Sequence, residues 1–411
     1  MATDFVKGEV DASGRFQRQK TQFLTPFGSE QGQLPVEKDR YRLIVSYACP
    51  WAHRQLIALK LLGLENAVTI GVVDPVRPTG LGRTDWAFSL DPDGKDPVLG
   101  AAYLSDIYLK TDPDYQGRYT VPALVDVETG QVVNNDFYNL LKIWETDWKD
   151  LHEDGAPDLY PESIRKDIDA LNEIIFNDIN NGVYKAGFAR SQEAYEEAYD
   201  NLFTRLDELE ERLSHSRYLF GNQVTDSDIR LYVTLARFDA AYYNGFRCNR
   251  NRLVDFPNLW AYARDLYQLP AFRETTKFDH IKKHYHLSAI DNPHQILPKG
   301  PDENEWFEPR IGLVASISKR NGRRRMLCQK KILNQLHLKF APLKLRRRLT
   351  SEEPFNANQI ASQHHLEMVQ ASLRLKKAST ASFGLVVATG LIVLLSFVNC
   401  LGWRMSFQLT R

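Results

Sequence analysis

Apolar and polar positions divide the chain into stretches of different character. The apolar run Leu43-Ile44-Val45 makes 41–46 read as a buried strand, and the pattern over 50–62 predicts a helix stopped by Gly63. Residues 68–73, 123–127 and 131–133 read as further strands, and 137–144 as a second helix. The intervening stretch 74–119 opens with Pro75, Pro78, Gly80 and Gly82 and is mostly polar, so it predicts a long functional or interface loop. From Tyr160 onward the period changes. Ile164, Ile168, Leu171, Ile174 and Ile175 recur at helical spacing, as do Tyr195, Ala198, Leu202, Phe203, Leu206, Leu209 and Leu213, which predicts an all-helical region. Thr225-Asp226-Ser227-Asp228 ahead of Ile229-Arg230-Leu231 has the form of a capping box, with Asp228 reaching back to the Thr225 N–H.

Cys49 stands at the junction of the first strand and helix, followed by Pro50. Proline suits the first helical position because the N–H it lacks would have no intrahelical partner, so Cys49 is placed at the N-cap. Its sulfur then faces free N–H groups and the positive end of the helix dipole. Both favour a thiolate, and such sites lower a thiol pKa from about 8.5 into the range of roughly 3.5 to 7.5. Cys49 is the candidate nucleophile, although a free cysteine is more often a small buried hydrophobe. Ala52, one helical turn on, stands where a dithiol motif needs a second cysteine. The expected chemistry is therefore monothiol, with an external thiol as resolving partner. Downstream, Gly117-Arg118-Tyr119-Thr120-Val121-Pro122 feeds the apolar strand at 123–127, and a cis Val121-Pro122 bond would turn the Val121 backbone toward an extended peptide.

Strand-helix-strand followed by a hairpin and a helix is the thioredoxin-like order. Cys-Pro-Trp-Ala at 49–52, Asp85-Trp86-Ala87-Phe88, Gly117-Arg118 with Thr120-Val121-Pro122, and Val133 to Asp136 together resemble the glutathionyl-hydroquinone reductases, the Xi-class, omega-related glutathione transferases. The resemblance continues through Gly187-Phe188-Ala189, Arg217 to Gly221, Arg237-Phe238-Asp239, Phe246 to Asn249, His284-Tyr285 and Leu297 to Pro301, and spans about residues 5–301. It implies a thioredoxin-like α/β domain followed by an all-α domain, the glutathione-transferase fold. It also implies glutathione as co-substrate, aromatic glutathionyl conjugates as substrates, and a homodimer. By resemblance Cys49 is the nucleophile. Trp86, Arg118, Val121 and Asp136 hold glutathione, with Arg118 as a fork for the glycine carboxylate and Asp136 taking the γ-glutamyl amine. Tyr195 and Tyr285 face the hydroquinone. Where the family has serine at the start of the following helix, this chain has Phe137. Two other readings compete: an omega-like thiol transferase acting on dehydroascorbate or mixed disulfides, and a non-enzymatic module of the same fold.

Charge changes the picture at the far end. Residues 301–411 carry 18 Lys and Arg against 7 Asp and Glu, whereas residues 1–300 carry 34 against 45. The expected divisions are an extended arm (1–40) with Phe5, Phe16, Phe23 and Phe27 as its anchors, the thioredoxin-like domain (41–150), the helical domain (151–301), a basic disordered extension (302–380), and an uncharged segment (381–403) long enough to be a transmembrane helix. The basic stretch reads as solvated rather than as a nucleic-acid contact. Cysteines 49, 248, 328 and 400 have no disulfide spacing and Met1 to Lys20 is polar, which points to a cytoplasmic, reducing compartment, membrane-attached only if 381–403 is a span. No Cys/His cluster has metal-ligand spacing, so no metal is expected.

Overall fold

The computed structural model describes residues 8–78, 81, 84–288 and 294–308. Four strands, β1 (Tyr41–Val45), β2 (Val68–Val72), β3 (Ala123–Asp126) and β4 (Gln131–Asn134), form one sheet in the order β2-β1-β3-β4. β1 and β2 are parallel, with Tyr41 opposite Val68, and α1 (Pro50–Leu62) connects them. β3 is antiparallel to both β1 and β4, with Leu43 opposite Leu124. All five β1 residues are buried, which is why its sequence is an apolar run rather than an alternation. Gly63 ends α1 at φ 73° and returns its N–H to Leu59 O, a left-handed cap that a Cβ would strain.

The stretch expected to be a loop contains a helix, α2 (Leu104–Thr111), between β2 and β3. Leu104, Ile107 and Tyr108 bury one face of it, and the Asp106 carboxylate accepts the N–H of Tyr103 at 2.9 Å and of Ala102 at 3.1 Å. Eight residues with three apolar contacts are too short a periodic signal to stand out against polar flanks. With α2 and α3 (Leu140–Thr146), the order is that of a thioredoxin-like unit. α3 starts later than the expected 137 because 135–139 form a turn first.

The helical part follows. α4 (Arg165–Ile174) passes through a π turn at Ile175–Asn180 into α5 (Gly182–Phe188), and α6 (Gln192–His215), α7 (Asp226–Arg237), α8 (Pro257–Tyr267), α9 (Pro270–Arg273) and α10 (Phe278–Leu287) complete it. Every residue of α7 is buried, and its capping box forms as expected, the Asp228 carboxylate accepting the Thr225 N–H at 2.8 Å. α7 packs on α1, so the helical core reaches the element that begins at Cys49.

Two boundaries differ from expectation. The arm is not a loose extension. Phe27 packs edge-on to Tyr41 and Trp148, Phe23 lies on Tyr108 and Tyr115, and Phe16 meets Phe188 at 5.3 Å; Phe5 lies outside the described residues. At the other end, order continues past 301. Trp306, in a short turn at Glu303–Phe307, is only 6% exposed, with its ring 4.9 Å from Trp260, 5.3 Å from Phe278 and 5.5 Å from Tyr267. The change in sequence character at 301 records the loss of acidic residues further on, not the end of packing. Residues 309–411, including the segment expected to span a membrane, lie outside the described residues; among those described, no helix is long and apolar enough to cross one. Trp306→Ala in the full chain should destabilise it by about 3 kcal/mol, the cost of emptying a large aromatic site. An unchanged denaturation midpoint would show that 302–308 adds nothing to the core.

Candidate active site

Cys49 sits at the end of β1 as the N-cap of α1, with φ −78° and ψ 120° and its carbonyl accepting the His53 N–H at 2.9 Å. Its thiol donates to Val121 O at 3.3 Å, across the cis Val121-Pro122 peptide. The turn before it is gripped from α7. The Arg237 guanidinium donates to Tyr47 O and Ala48 O, each at 2.9 Å, and to Val233 O at 2.7 Å. Another N–H of the same nitrogen meets His53 Nδ1 at 3.1 Å, so that ring nitrogen accepts and Nε2 carries the proton toward Thr275 Oγ1 at 3.0 Å. Burial, and secondarily Arg237, hold His53 well below its ordinary pKa, so it is neutral.

The thiol opens onto a cavity of about 660 Å³ whose walls include Trp51, Trp86, Val121, Tyr184 and Tyr285. Trp86, 3% exposed, stacks on His284 with centroids 5.1 Å apart and planes 18° apart. His284 Nδ1 donates to Pro75 O at 2.8 Å, and burial brings its pKa down to about 3, so the stack is between neutral rings. Opposite lies a triangle of phenols: Tyr285 Oη is 2.7 Å from Tyr184 Oη and 3.1 Å from Tyr242 Oη. Burial raises the pKa of all three, which keeps them protonated donors at neutral pH.

Of the residues picked out from sequence, Cys49, Trp86, Val121, Arg118 and Tyr285 line this cavity. Two do not, and two expected roles change. Tyr195 lies off the wall, its hydroxyl donating to Arg247 O at 2.9 Å. The phenol beside Tyr285 is Tyr184, three residues before the Gly187-Phe188-Ala189 motif, on a helix too short to show a period. Asp136 is absent from the wall as well. Its carboxylate accepts the N–H of Tyr138 and of Asn139, both at 3.1 Å, and so closes the turn leading to α3. Arg118 already faces a carboxylate: Glu9, from the arm and 6% exposed, pairs with its Nε at 2.8 Å and accepts from Nη2 at 2.9 Å. Nothing in the local sequence around Glu9 signals this. Phe137 packs edge-on to Trp51 at 4.9 Å and forms part of the wall.

The expected depression of the Cys49 pKa is not what the surroundings give. Burial pushes the thiol up from its ordinary value. The Ala52 N–H, Arg237, the Trp51 N–H and Arg18 all pull the other way, through the helix N-terminus and two cations, but burial is the largest influence.

Family models for the N-terminal and C-terminal domains of glutathione S-transferase match residues 48–146 and 192–265. The glutathionyl-hydroquinone reductase YqjG of Escherichia coli is 43% identical over 313 residues, covering 73% of this chain and 94% of the relative. The chain belongs to the Xi class of the glutathione S-transferases. The Xi transferase of Phanerochaete chrysosporium, 42% identical, superposes with a TM-score of 0.68 over 73% of this transferase and 96% of the other. The glutathione-bound structure of YqjG, 42% identical, does so with 0.64 over 71% and 94%, and the glutathionyl-hydroquinone reductase PcpF of Sphingobium chlorophenolicum is 39% identical over 71% and 91%. The fold is accordingly the glutathione-transferase fold, a thioredoxin-like sheet followed by a helical domain. Among the described residues, no group of three or more His, Cys, Asp or Glu is placed to hold a metal ion.

Because only the deprotonated thiol is alkylated, the rate of iodoacetamide labelling at Cys49 should rise with pH through the folded-state pKa. With burial dominant, the inflection for the ligand-free Xi transferase should lie above the roughly 8.5 of an unperturbed thiol. An inflection near 6 would mean that the helix N-terminus and the two arginines outweigh burial.

Proposed function

We propose that this transferase removes glutathione reductively from glutathionyl-hydroquinones, with Cys49 as nucleophile and glutathione as co-substrate. One observation carries the reading: a single cysteine with no partner cysteine one turn on shares its cavity with two neutral phenol donors, Tyr184 and Tyr285, backed by a third, Tyr242. The cavity fits a thiol tripeptide, since it places a peptide backbone at Val121 beside the thiol and an aromatic wall at Trp86. The names of the YqjG and PcpF relatives agree with the chemistry.

The Cys49 thiolate attacks the sulfur of the thioether. The carbon–sulfur bond breaks, its electron pair goes to the aromatic ring, and the ring carbon gains a proton to give the free hydroquinone. Cys49 is left as a mixed disulfide with glutathione. A second glutathione thiolate attacks that disulfide, forming glutathione disulfide and regenerating the Cys49 thiolate. Tyr285 and Tyr184 donate to the hydroquinone oxygens, where charge builds as the ring accepts the electron pair. Tyr242 holds Tyr285, and Tyr195 acts one step removed, through the Arg247 carbonyl. Trp86 and Val121 contact the tripeptide. Arg118, paired with Glu9, contributes a shared charge rather than a free fork, and Asp136 orders the α3 turn. A cytoplasmic homodimer is in keeping with this chemistry, and attachment to a membrane through 381–403 would relocate it without altering it.

An omega-like exchange of mixed disulfides or reduction of dehydroascorbate would use the same cysteine, but gives the three phenols nothing to do. Glutathionyl-menadiol and dehydroascorbate should therefore be compared side by side. The conjugate should be turned over at least about tenfold more efficiently, and the reverse order would favour the omega-like reading. Cys49→Ser should abolish deglutathionylation while keeping the fold, because a hydroxyl caps a helix as well as a thiol but is a poor nucleophile at neutral pH. Substantial turnover by the Ser variant would remove Cys49 from the nucleophile's role, and no turnover of either substrate by the parent would favour a non-enzymatic module.

A further inference from the structure

Arg18 has no part in the chemistry above, yet it borders the same cavity. It comes from the arm. Its Nε donates to Asn181 Oδ1 at 2.8 Å, and its guanidinium lies over Trp51 and Tyr184, 4.7 Å from each centroid, with Phe16 at 5.3 Å and Phe137 at 5.8 Å. Among the described residues it has no ion pair, and Nη2 is shut off from solvent without a hydrogen-bond partner. Aromatic faces offset part of the cost of desolvating a cation, but a carboxylate offsets far more. Burial accordingly lowers the Arg18 pKa. A guanidinium held in an aromatic cage, with its terminal Nη2 buried and unpaired, is built to receive an anion.

Glutathione carries two carboxylates at opposite ends, with its sulfur between them. Two arginines, Arg118 and Arg18, border the cavity onto which Cys49 opens. Arg118 stands in the segment leading to Val121 and is paired with Glu9; Arg18 stands over Phe137, at the approach to α3, and feels Glu9 only at longer range, without an ion pair of its own. We propose that Arg18 binds the α-carboxylate at the γ-glutamyl end of glutathione and makes that carboxylate a requirement for substrates. The assignment rests on the glutathione-dependent function proposed above. Val121 accepts the middle of the peptide, the glycine end lies toward Arg118, and the γ-glutamyl end runs under the caged guanidinium. The aromatic cage also explains why the apolar Phe137 is accommodated beside a charged end group: its ring contacts the guanidinium instead of the anion.

The test is a double-mutant cycle read by calorimetric binding to the full-length chain. The ligands are glutathione, 4-aminobutanoyl-Cys-Gly, which lacks only the γ-glutamyl α-carboxylate, and the glycine monoethyl ester of glutathione. The parent should bind 4-aminobutanoyl-Cys-Gly at least about tenfold more weakly than glutathione, the size of a charge-assisted pair. Arg18→Met should bind the two alike, while retaining the parent's ratio between glutathione and its ester. Arg18→Lys, which keeps the charge but not the fork, should fall between. An Arg18→Met variant that weakens all three ligands by one common factor would show a merely structural arginine and overturn the proposal. Loss of discrimination against the ester would overturn the assigned end. A parent that binds no glutathione would overturn the glutathione-dependent function itself, whereas binding without coupling to Arg18 overturns only this assignment.

Discussion

The site depends on the Arg237 clamp. A fully buried guanidinium at the end of α7 donates to the carbonyls of Tyr47 and Ala48, the two residues that bring β1 into Cys49. Carbonyls at the end of a strand, once they turn out of the sheet, need partners or water, and water is excluded here. The helical part therefore supplies what the sheet cannot. His53, held neutral, accepts from the same guanidinium on one side and donates toward Thr275 on the other, so α1 and α7 are tied together immediately behind the cysteine. A lysine ammonium, a single point charge, would not span three carbonyls and a ring nitrogen at once; the planar fork is what the geometry uses.

From this clamp the cavity is built outward by parts distant in sequence. The sheet contributes Cys49 and, across it, Val121. α5 and α10 contribute Tyr184 and Tyr285. The arm then closes the remaining side, with Glu9 against Arg118, Gln19 accepting the Arg118 N–H at 2.7 Å, and Arg18 over Trp51. Arm residues thus add charge to a cavity whose other arginines come from the core. An arginine paired with a carboxylate and a caged arginine without an ion pair, bordering the same cavity, are an asymmetry that neither domain has by itself.

Much of this was legible beforehand, and what was not has identifiable causes. Cys49 at an N-cap, with Pro50 and Gly63 bounding α1, follows from local rules of helix ends, which act within a few residues. The Thr225–Asp228 box is local in the same sense. α2 is not legible because its three buried apolar residues in eight give too weak a period, and the core reads as ending too early because Trp306 and Phe307 are one short aromatic pair in an acidic stretch. Glu9, Arg18 and Tyr184 were missed for another reason: their roles arise from contacts over 109, 163 and 101 residues of sequence, at distances where composition carries no information. Tyr195 matched a motif, but a motif records which residue type is present and not which way a helix face turns.

The Cys49 pKa shows how local and tertiary reasoning divide. The local argument correctly identifies the groups that favour a thiolate, the N–H groups of Trp51 and Ala52, and the fold adds two cations, Arg237 and Arg18. It cannot see that the fold also removes water from the sulfur. Nor can it see that the neutral thiol has an acceptor in Val121 O, which stabilises the protonated form. In the proposed complex the tripeptide pairs with that same Val121 backbone. A ligand that takes this acceptor removes a contact that only the thiol makes, while the N–H groups and cations that favour the anion stay in place. Occupation of the cavity and ionisation of the nucleophile are thereby linked through one carbonyl, so a thiol that stays protonated at rest is compatible with a thiolate in the reacting complex.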